Sequence, residues 1–235
     1  MAIDISVPVA AVRDTANVSN YTMASFNPAA NAVLVVFVVA TSEASAGAMA
    51  GGSLTWTRRD SNAYNTTDKV YGFTAPTGAT PAACAPEVQF TGDAADGCAM
   101  YCYQVTGADT TNPIVQTAAT QRTTVSIGTI TLGATPLVGS GVLTAVGTTL
   151  NNPANVTIPL GFVASVDTGY ATPTTGFASA YTINRSIPTS SLTWLANNGT
   201  PSWGLVAFEI AVDPSTASVA VTSTRLRQSI RRRRS

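Results

Sequence analysis

The chain has 235 residues, of which 45% are hydrophobic and only 10% are charged, and it contains no histidine. The absence of histidine excludes Ser-His-Asp and Cys-His catalysis, histidine metal sites and imidazole pH switches. The length is enough for one sizeable all-β domain or two small ones, and a chain this apolar and this weakly charged is not disordered throughout.

The charges are divided between an acidic body and a cationic tail. Residues 1–224 hold six basic and twelve acidic side chains. The six other basic residues are Arg225, Arg227, Arg231, Arg232, Arg233 and Arg234. A run of guanidinium groups can form bidentate contacts with carboxylates or phosphates. Because the acidic body would repel a nucleic-acid duplex, we expect the tail to bind an acidic protein partner rather than nucleic acid.

The first predicted strand opens the chain. Apolar residues alternate with polar ones from Ile3 to Val9, and Pro8 cannot donate a hydrogen bond to a neighbouring strand. This pattern predicts a strand at the edge of a sheet.

The run AVLVVFVVA at 32–40 is apolar on both faces. A strand in a sandwich normally buries one face, so the second face needs a cover: a loop, a tail or another subunit. Of these, we predict another subunit, with Leu34, Val36 and Val38 forming the contact face of a closed homo-oligomer, a trimer or another cyclic form.

Further strands are predicted along both halves of the chain, at 54–59, 69–75, 87–91, 98–105, 123–132, 137–146, 161–167, 177–183, 192–195 and 203–212. In VSIGTITL, the apolar pattern shifts by one residue at Gly128, which predicts a β-bulge. In WGLVAFEIAV, the alternation predicts that Glu209 faces water.

These segments predict an all-β fold, an antiparallel two-sheet sandwich of jelly-roll type with ten to twelve strands. We expect one domain over residues 1–213, with 1–20 as an edge strand or arm, and an extension over 214–235 that ends in the arginine tail. No repeat of 20–50 residues is visible, which argues against a solenoid or propeller.

Three cysteines, Cys84, Cys98 and Cys102, are expected to be reduced and buried. On one strand, Cys98 and Cys102 would be about 13 Å apart, too far for a disulfide. The opening segment has no export-signal pattern, and the most apolar stretch is about half a membrane-spanning length. We therefore expect a protein that is made in the cytoplasm and does not enter the membrane.

Candidate small-molecule sites are few. Asp93 and Asp96 lie within the loop 91–97, which has a glycine near each end, but this turn lacks the ligand density of a calcium loop, so we expect no metal and no cofactor. Tyr64 and Tyr170 stand in loop sequence and are candidates for an exposed sugar contact. The three tryptophans lie in strand patterns and are expected in the core: Trp56, Trp194 and Trp203.

The order of segments resembles a known group of proteins. A strand NAVLVVFVVA precedes a glycine-rich loop and LTWTRRD, then KVYGFTA and a tyrosine-rich strand ending in VTGADTTNPIVQ, and the domain closes with LTWLANNGTPSWGLVAFEIAV. Over about residues 20–212 this resembles the β-sandwich modules of tailed-bacteriophage structural proteins, among them head decoration proteins, head spikes and tail fibres. The resemblance implies a virion component that works through contact surfaces.

We therefore expect a capsid decoration, cement or head spike protein without enzymatic activity, whose partners are capsid or other virion proteins. The alternative is a carbohydrate-binding tail-fibre or adhesin module that uses Tyr64 or Tyr170. A third alternative is a shell-forming jelly-roll subunit whose arginine arm contacts packaged genome, although such arms usually carry more charge than this tail.

Overall fold

The β-branched and aromatic runs of the sequence form strands that are separated by glycine, proline and asparagine turns. The structure, a computed structural model, describes residues 2–42, 47–92, 94–150, 154–183 and 189–215. The first half of the described chain contains β1 (Asp4–Ser6), β2 (Val12–Asp14), β3 (Asn20–Thr22), β4 (Val33–Thr41), β5 (Ala48–Ala50), β6 (Thr57–Ala63), β7 (Lys69–Pro76), β8 (Glu87–Gln89) and β9 (Gly97–Thr106). The second half contains β10 (Ile114–Arg122), β11 (Ile127–Thr131), β12 (Gly141–Thr148), β13 (Val156–Thr157), β14 (Val163–Tyr170), β15 (Thr175–Ile183), β16 (Ser191–Ala196) and β17 (Trp203–Ile210).

The strands form four sheets with antiparallel pairing. The first half contributes a six-stranded sheet in the order β1-β9-β4-β7-β6, with β2 also paired to β9, and a three-stranded sheet in the order β3-β8-β5. The second half contributes a five-stranded sheet in the order β10-β17-β12-β15-β14 and a three-stranded sheet in the order β11-β16-β13. The predicted antiparallel all-β sandwich is therefore confirmed, but the described residues form four sheets and seventeen strands where two sheets and ten to twelve strands were expected.

The two large sheets face each other across the main core. Valines of β4 and aromatic residues of β9 pack against β12 and β17, and the Phe37 and Phe208 rings stack with centroids 5.4 Å apart. Each half supplies one side of this core, so burying it requires both halves of the chain.

The small sheets cover the outer surfaces of the large ones, and this corrects the prediction of an oligomer face. Val36 and Val38 pack under the β3-β8-β5 sheet with Tyr21 and Val88, and like Leu34 they are fully buried within this chain. The second apolar face of β4 is therefore covered by the chain's own small sheet rather than by another subunit. The β11-β16-β13 sheet covers the five-stranded sheet in the same way.

The two halves have the same topology, repeated after about 106 residues. Each central strand (β4, β12) lies between a strand from the end of its half (β9, β17) and one from its middle (β7, β15), with the edge strands β6 and β14 beyond. The register of the β6–β7 pair shifts between Arg58 and Asp60, and that of the β14–β15 pair shifts between Ala164 and Val166, at the corresponding position. The chain is thus a tandem pair of β units, each with one large and one small sheet.

The predicted bulge at Gly128 is wrong. Strand β11 pairs with β16 without a register shift from Ile127 to Thr131. Gly128 is itself an inward position beside Ile130, and a Cβ there would lie 2.8 Å from the ring of Trp203. A large apolar residue is missing at this position because the indole occupies the space.

The predictions for the first strand, the cysteines and the tryptophans are confirmed. Strand β1, which precedes Pro8, lies at the edge of its sheet. The three cysteines are free and buried. Trp194 and Trp203 are fully buried, and Trp56 is partly buried against the core beneath β3-β8-β5. No helix in the described part of the chain is long and apolar enough to cross a membrane.

Candidate interaction surface

One end of the sandwich brings together the loops of both halves and the root of the C-terminal extension. Strands β4, β6, β12 and β14 begin at this end, and β7, β9, β15 and β17 finish there. After β17 the chain stays at this end, where Val212 forms a bridge with Ala108 and the Asp213 amide donates to the Gly107 carbonyl. We call this region the tail end.

The tail end of the second half exposes large apolar side chains. Among the described residues, ten large hydrophobic side chains are exposed, and five of them lie where second-half strands begin: Val115, Leu137, Val138, Leu160 and Val163. Leu160 is 100% exposed and Val138 is 79% exposed. The corresponding first-half loop, 27–31, is Asn-Pro-Ala-Ala-Asn and has no such side chain. The apolar tips are therefore a property of one half.

The loop that carries Leu137 and Val138 is held by a buried carboxylate. Glu209, which was predicted to face water, is fully buried. Its Oε1 accepts a 2.6 Å hydrogen bond from the Leu137 amide, and its Oε2 accepts one of 2.6 Å from Gln116 Nε2. The Gln116 side chain also bonds both backbone groups of Ala134. A charged acceptor strengthens both bonds, so the loop presents its apolar tip on a fixed base.

The first half holds its corresponding loop with the same kind of side-chain hydrogen bond. Gln104 pairs with Leu34 as Glu209 pairs with Val142, and its Oε1 accepts a 2.6 Å hydrogen bond from the Ala29 amide. Both side chains thus hold the loop that precedes the central strand of their half. The two halves therefore share this support, and only the second-half loop carries large exposed apolar side chains.

The root of the extension lies against this loop. A Cβ built on Gly139 would lie 3.6 Å from Val212 Cγ2, and the Ser215 amide donates to Asp213 Oδ1 at 2.8 Å. The six arginines of the tail, Arg225, Arg227, Arg231, Arg232, Arg233 and Arg234, lie outside the described residues. The extension therefore starts beside the apolar tips.

The tyrosines proposed as sugar contacts are buried, which corrects that prediction. Tyr64 is fully buried and Tyr170 is 4% exposed. The Tyr64 hydroxyl lies 3.0 Å from Thr175 Oγ1 of the second half, and the Tyr170 hydroxyl lies 3.2 Å from Thr41 Oγ1 of the first. Burial raises the pKa of both phenols well above the usual value. The two tyrosines occupy corresponding positions and join the halves.

An open cleft lies beside Tyr170. It has a volume of about 380 Å³ and is lined by the N-terminal segment 13–15 and by residues 169–171. The Arg13 guanidinium, its cationic group, donates to the Gly169 carbonyl at 3.2 Å. Because the ring of Tyr170 is almost entirely covered, it offers no face on which a sugar could stack.

The described residues contain no group of three or more histidine, cysteine, aspartate or glutamate side chains that could hold a metal ion. Asp93 of the glycine-rich turn lies outside the described residues. Asp96 accepts a hydrogen bond of 2.7 Å from Asn17 Nδ2 and so fastens the N-terminal segment to this turn.

The sequence contains a pattern that indicates exposure of the apolar tips. Leu137 and Leu160 each follow a proline directly. A glycine comes two residues after Leu137, in PLVG, and one residue after Leu160, in PLGF. Proline and glycine predict turns, and turns lie at the surface. A leucine between a proline and a glycine in a short turn is therefore expected to be exposed. Such leucines are candidates for exposed contacts.

The comparisons with known proteins include a weak structural likeness. No protein-family model matches the chain, and no curated protein matches it. Among solved structures, the chain is similar to one described as the STIV MCP, with 11% identity and a TM-score of 0.27 over 93% of this chain and 99% of that chain. A TM-score of 0.27 does not establish a shared fold, so the architecture rests on the chain's own sheets and registers.

Proposed function

We propose that this protein is a structural component of a virus particle, a capsid decoration or cement protein that acts through protein contacts and performs no catalysis. The observation that carries the proposal is the group of exposed apolar side chains beside the root of the arginine-rich extension. Exposed apolar side chains grouped at one end of a β domain are typical of a contact surface. The resemblance of the segment order to bacteriophage structural proteins supports the same class.

The contact would combine two kinds of interaction. Burying Leu160 or Leu137 in a partner's pocket contributes about 1.5–3 kcal/mol for each side chain that becomes fully covered. The arginines would bind carboxylates of the same partner through charge-assisted hydrogen bonds. The partner is therefore a shell protein with an apolar pocket and acidic groups around it. The salt dependence of attachment would come from the tail and not from the leucines.

The rigid support of the loop fits this role. A side chain that is already held in its binding position loses less conformational freedom when it docks. The Glu209 carboxylate holds the backbone at the base of the loop, so docking Leu137 and Val138 would require less ordering of the loop backbone.

The experiment is a binding assay between the purified full-length chain and virus particles assembled without it. Replacing Leu137 and Leu160 by serine should reduce affinity for the particles by at least tenfold, because about 1.4 kcal/mol corresponds to a factor of ten. Deleting residues 225–235 should also weaken attachment and should remove most of its salt dependence, with the fold intact.

The matched control is Val18→Ser. Val18 is 39% exposed and lies at the opposite end of the sandwich, where it bridges Ala95. This change removes a similar exposed apolar side chain and should leave attachment unchanged. Equal binding by the wild type and the double leucine variant would overturn the role of the tail end, and absence of binding by the wild type would overturn the virion role.

A further inference from the structure

The turn between β16 and β17 contains an asparagine that is followed by a glycine. These residues, Asn198 and Gly199, are both exposed, and they form the one Asn-Gly pair of the sequence. The backbone nitrogen of a residue after asparagine can attack the side-chain amide, because the two groups are close enough to close a five-membered ring. A glycine favours this attack because it has no Cβ to hinder the approach. The pair is therefore a candidate site of spontaneous covalent change.

The two ends of this turn are held, whereas the reacting groups at its tip are not. Backbone hydrogen bonds join both ends to the segment 125–126, at 2.8 Å from the Ala196 amide and at 3.2 Å to the Pro201 carbonyl. Within the described part of the chain, no hydrogen bond involves the Asn198 side chain or the Gly199 amide. Gly199 has a φ of 72°, and a Cβ built on it would meet no atom within 4 Å. Solvent and the asparagine side chain can therefore both reach the glycine nitrogen.

The preceding asparagine of the same turn is fixed. The Asn197 side chain accepts a hydrogen bond of 2.8 Å from Thr157 Oγ1 and donates one of 3.1 Å to Asn155 Oδ1. Its backbone amide also donates to the Asn155 carbonyl at 3.1 Å. This side chain cannot turn toward the next amide without breaking two hydrogen bonds, so the reaction is confined to the second asparagine.

The one Asp-Gly pair of the sequence can close the same ring, but the fold protects it. Asp96 Oδ1 accepts a hydrogen bond of 2.7 Å from Asn17 Nδ2, and the Asp96 amide donates to the Thr41 carbonyl at 3.0 Å. Gly97 is buried in β9, where an added Cβ would lie 2.9 Å from the Tyr170 ring. Ring closure at this pair would require the start of β9 to open. Of the two reactive pairs in the sequence, the structure therefore leaves one accessible.

We propose that Asn198 is a site of spontaneous deamidation in the folded protein. The Gly199 nitrogen gives its proton to a solvent base and bonds to Asn198 Cγ, and the bond from Cγ to Nδ2 breaks as ammonia leaves with a proton from water. A water molecule then opens the ring at either carbonyl, which yields aspartate or isoaspartate. The net reaction consumes one water, releases one ammonia and leaves a new carboxylate.

The position of the turn separates this reaction from the proposed attachment. Strand β17 finishes at the tail end, so the turn that precedes it lies at the opposite end of the sandwich. Deamidation therefore adds a negative charge far from the exposed leucines. The inference goes beyond the proposed function and does not depend on it.

Ageing the purified full-length chain in water labelled with a heavy oxygen isotope tests the proposal, because ring opening places one solvent oxygen in the new carboxylate. Peptide mass spectrometry follows the label at Asn198 and Asp96 in mildly alkaline buffer, for the folded chain and for the chain unfolded in guanidinium chloride. We expect the labelling rate of Asn198 in the folded chain to be within about threefold of its rate in the unfolded chain. The labelling rate of Asp96 should be lower in the folded chain by about tenfold or more, because its pair reacts only after local opening.

Asn198→Gln is the matched variant, because it keeps an exposed side-chain amide that cannot close a five-membered ring. It should remove the label from this peptide without changing the melting temperature. Ion-exchange chromatography should show a more acidic species that accumulates with time in the wild type and not in the variant. Label that persists in the peptide of the variant would overturn the proposal. A labelling rate of Asn198 that is about tenfold or more lower in the folded wild type than in the unfolded chain would overturn it as well, because the turn would then be as protected as the Asp-Gly pair.

Discussion

At the scale of single residues, the two tyrosines show how burial decides between a binding role and a structural role. Replacing Tyr64 or Tyr170 by phenylalanine removes one buried hydroxyl that lies beside a threonine of the other half. Each change should lower the free energy of unfolding by about 1 kcal/mol, and alanine at either position by about 3–5 kcal/mol. Denaturant unfolding of the variants measures both effects. Wild-type stability of an alanine variant would show that its ring is not part of the core.

Glu209 offers a second test at this scale. Glu209→Ala removes the acceptor for the Leu137 amide and the Gln116 side chain, so hydrogen exchange at the Leu137 amide should accelerate at least tenfold. Glu209→Gln keeps an oxygen that can accept from Leu137, as Gln104 does from Ala29, and should cause a smaller increase. Exchange that is equally slow in both variants would mean that the loop is held by other contacts.

At the scale of elements, strand β11 depends on a glycine for its position on the large sheet. A methyl group on Gly128 would lie 2.8 Å from the Trp203 ring, so Gly128→Ala should destabilise the protein by about 1–3 kcal/mol through overpacking. Gly133→Ala is the matched control, because the nearest atom to its added carbon is a Gln116 oxygen at 3.5 Å. Thermal unfolding should separate the two variants, and equal melting temperatures would contradict the packing described for Gly128.

The same elements show what the sequence could predict. The strand at 32–40 could be predicted because nine consecutive apolar residues indicate a strand that is buried on both faces. The same pattern predicts that another element covers its second face. The small sheet that covers this face could not be predicted, because its strands β3, β5 and β8 have only three residues each and little periodicity. The bulge at Gly128 was wrongly predicted because a glycine at an inward position breaks the apolar alternation in the same way as a register shift. The Trp203 ring that fills the space is 75 residues away in the sequence, so the local pattern does not show it.

For the candidate site, composition and charge predicted a protein that acts through contact surfaces, but the structure buries the residues that were predicted to form the oligomer face. Leu34, Val36 and Val38 had the strongest apolar signal, and for that reason they are in the core. Leu137 and Leu160 each follow a proline in a turn, a local signal for exposure that is much weaker than the nine-residue apolar run. Their exposure depends on the packing of the loops around them.

At the scale of the whole molecule, the repeated topology predicts that the halves depend on each other. Each large sheet has an apolar inner face that only the other half covers, and the Phe37–Phe208 stack lies in this interface. A chain cut by a protease site inserted between Thr111 and Asn112 should stay assembled and elute as one species. It should also unfold in one cooperative transition. Separation of the two fragments without denaturant would contradict the shared core.

The whole molecule is also asymmetric in a way that the duplication makes visible. Eight of the ten exposed large hydrophobic side chains among the described residues belong to the second half. The two halves have the same topology, but the second half has the more apolar surface and the first half the more polar one. The chain can therefore face a partner with its second half and water with its first half. The account therefore predicts a defined orientation on a particle.

Electron cryomicroscopy of purified particles that contain this chain tests the central claim most directly. The account predicts many copies on the shell, each with the second-half loops around Leu137 and Leu160 against a shell protein and the first-half small sheet toward solvent. Only a few copies on each particle, or copies attached through the β3-β8-β5 sheet with those leucines in water, would contradict it.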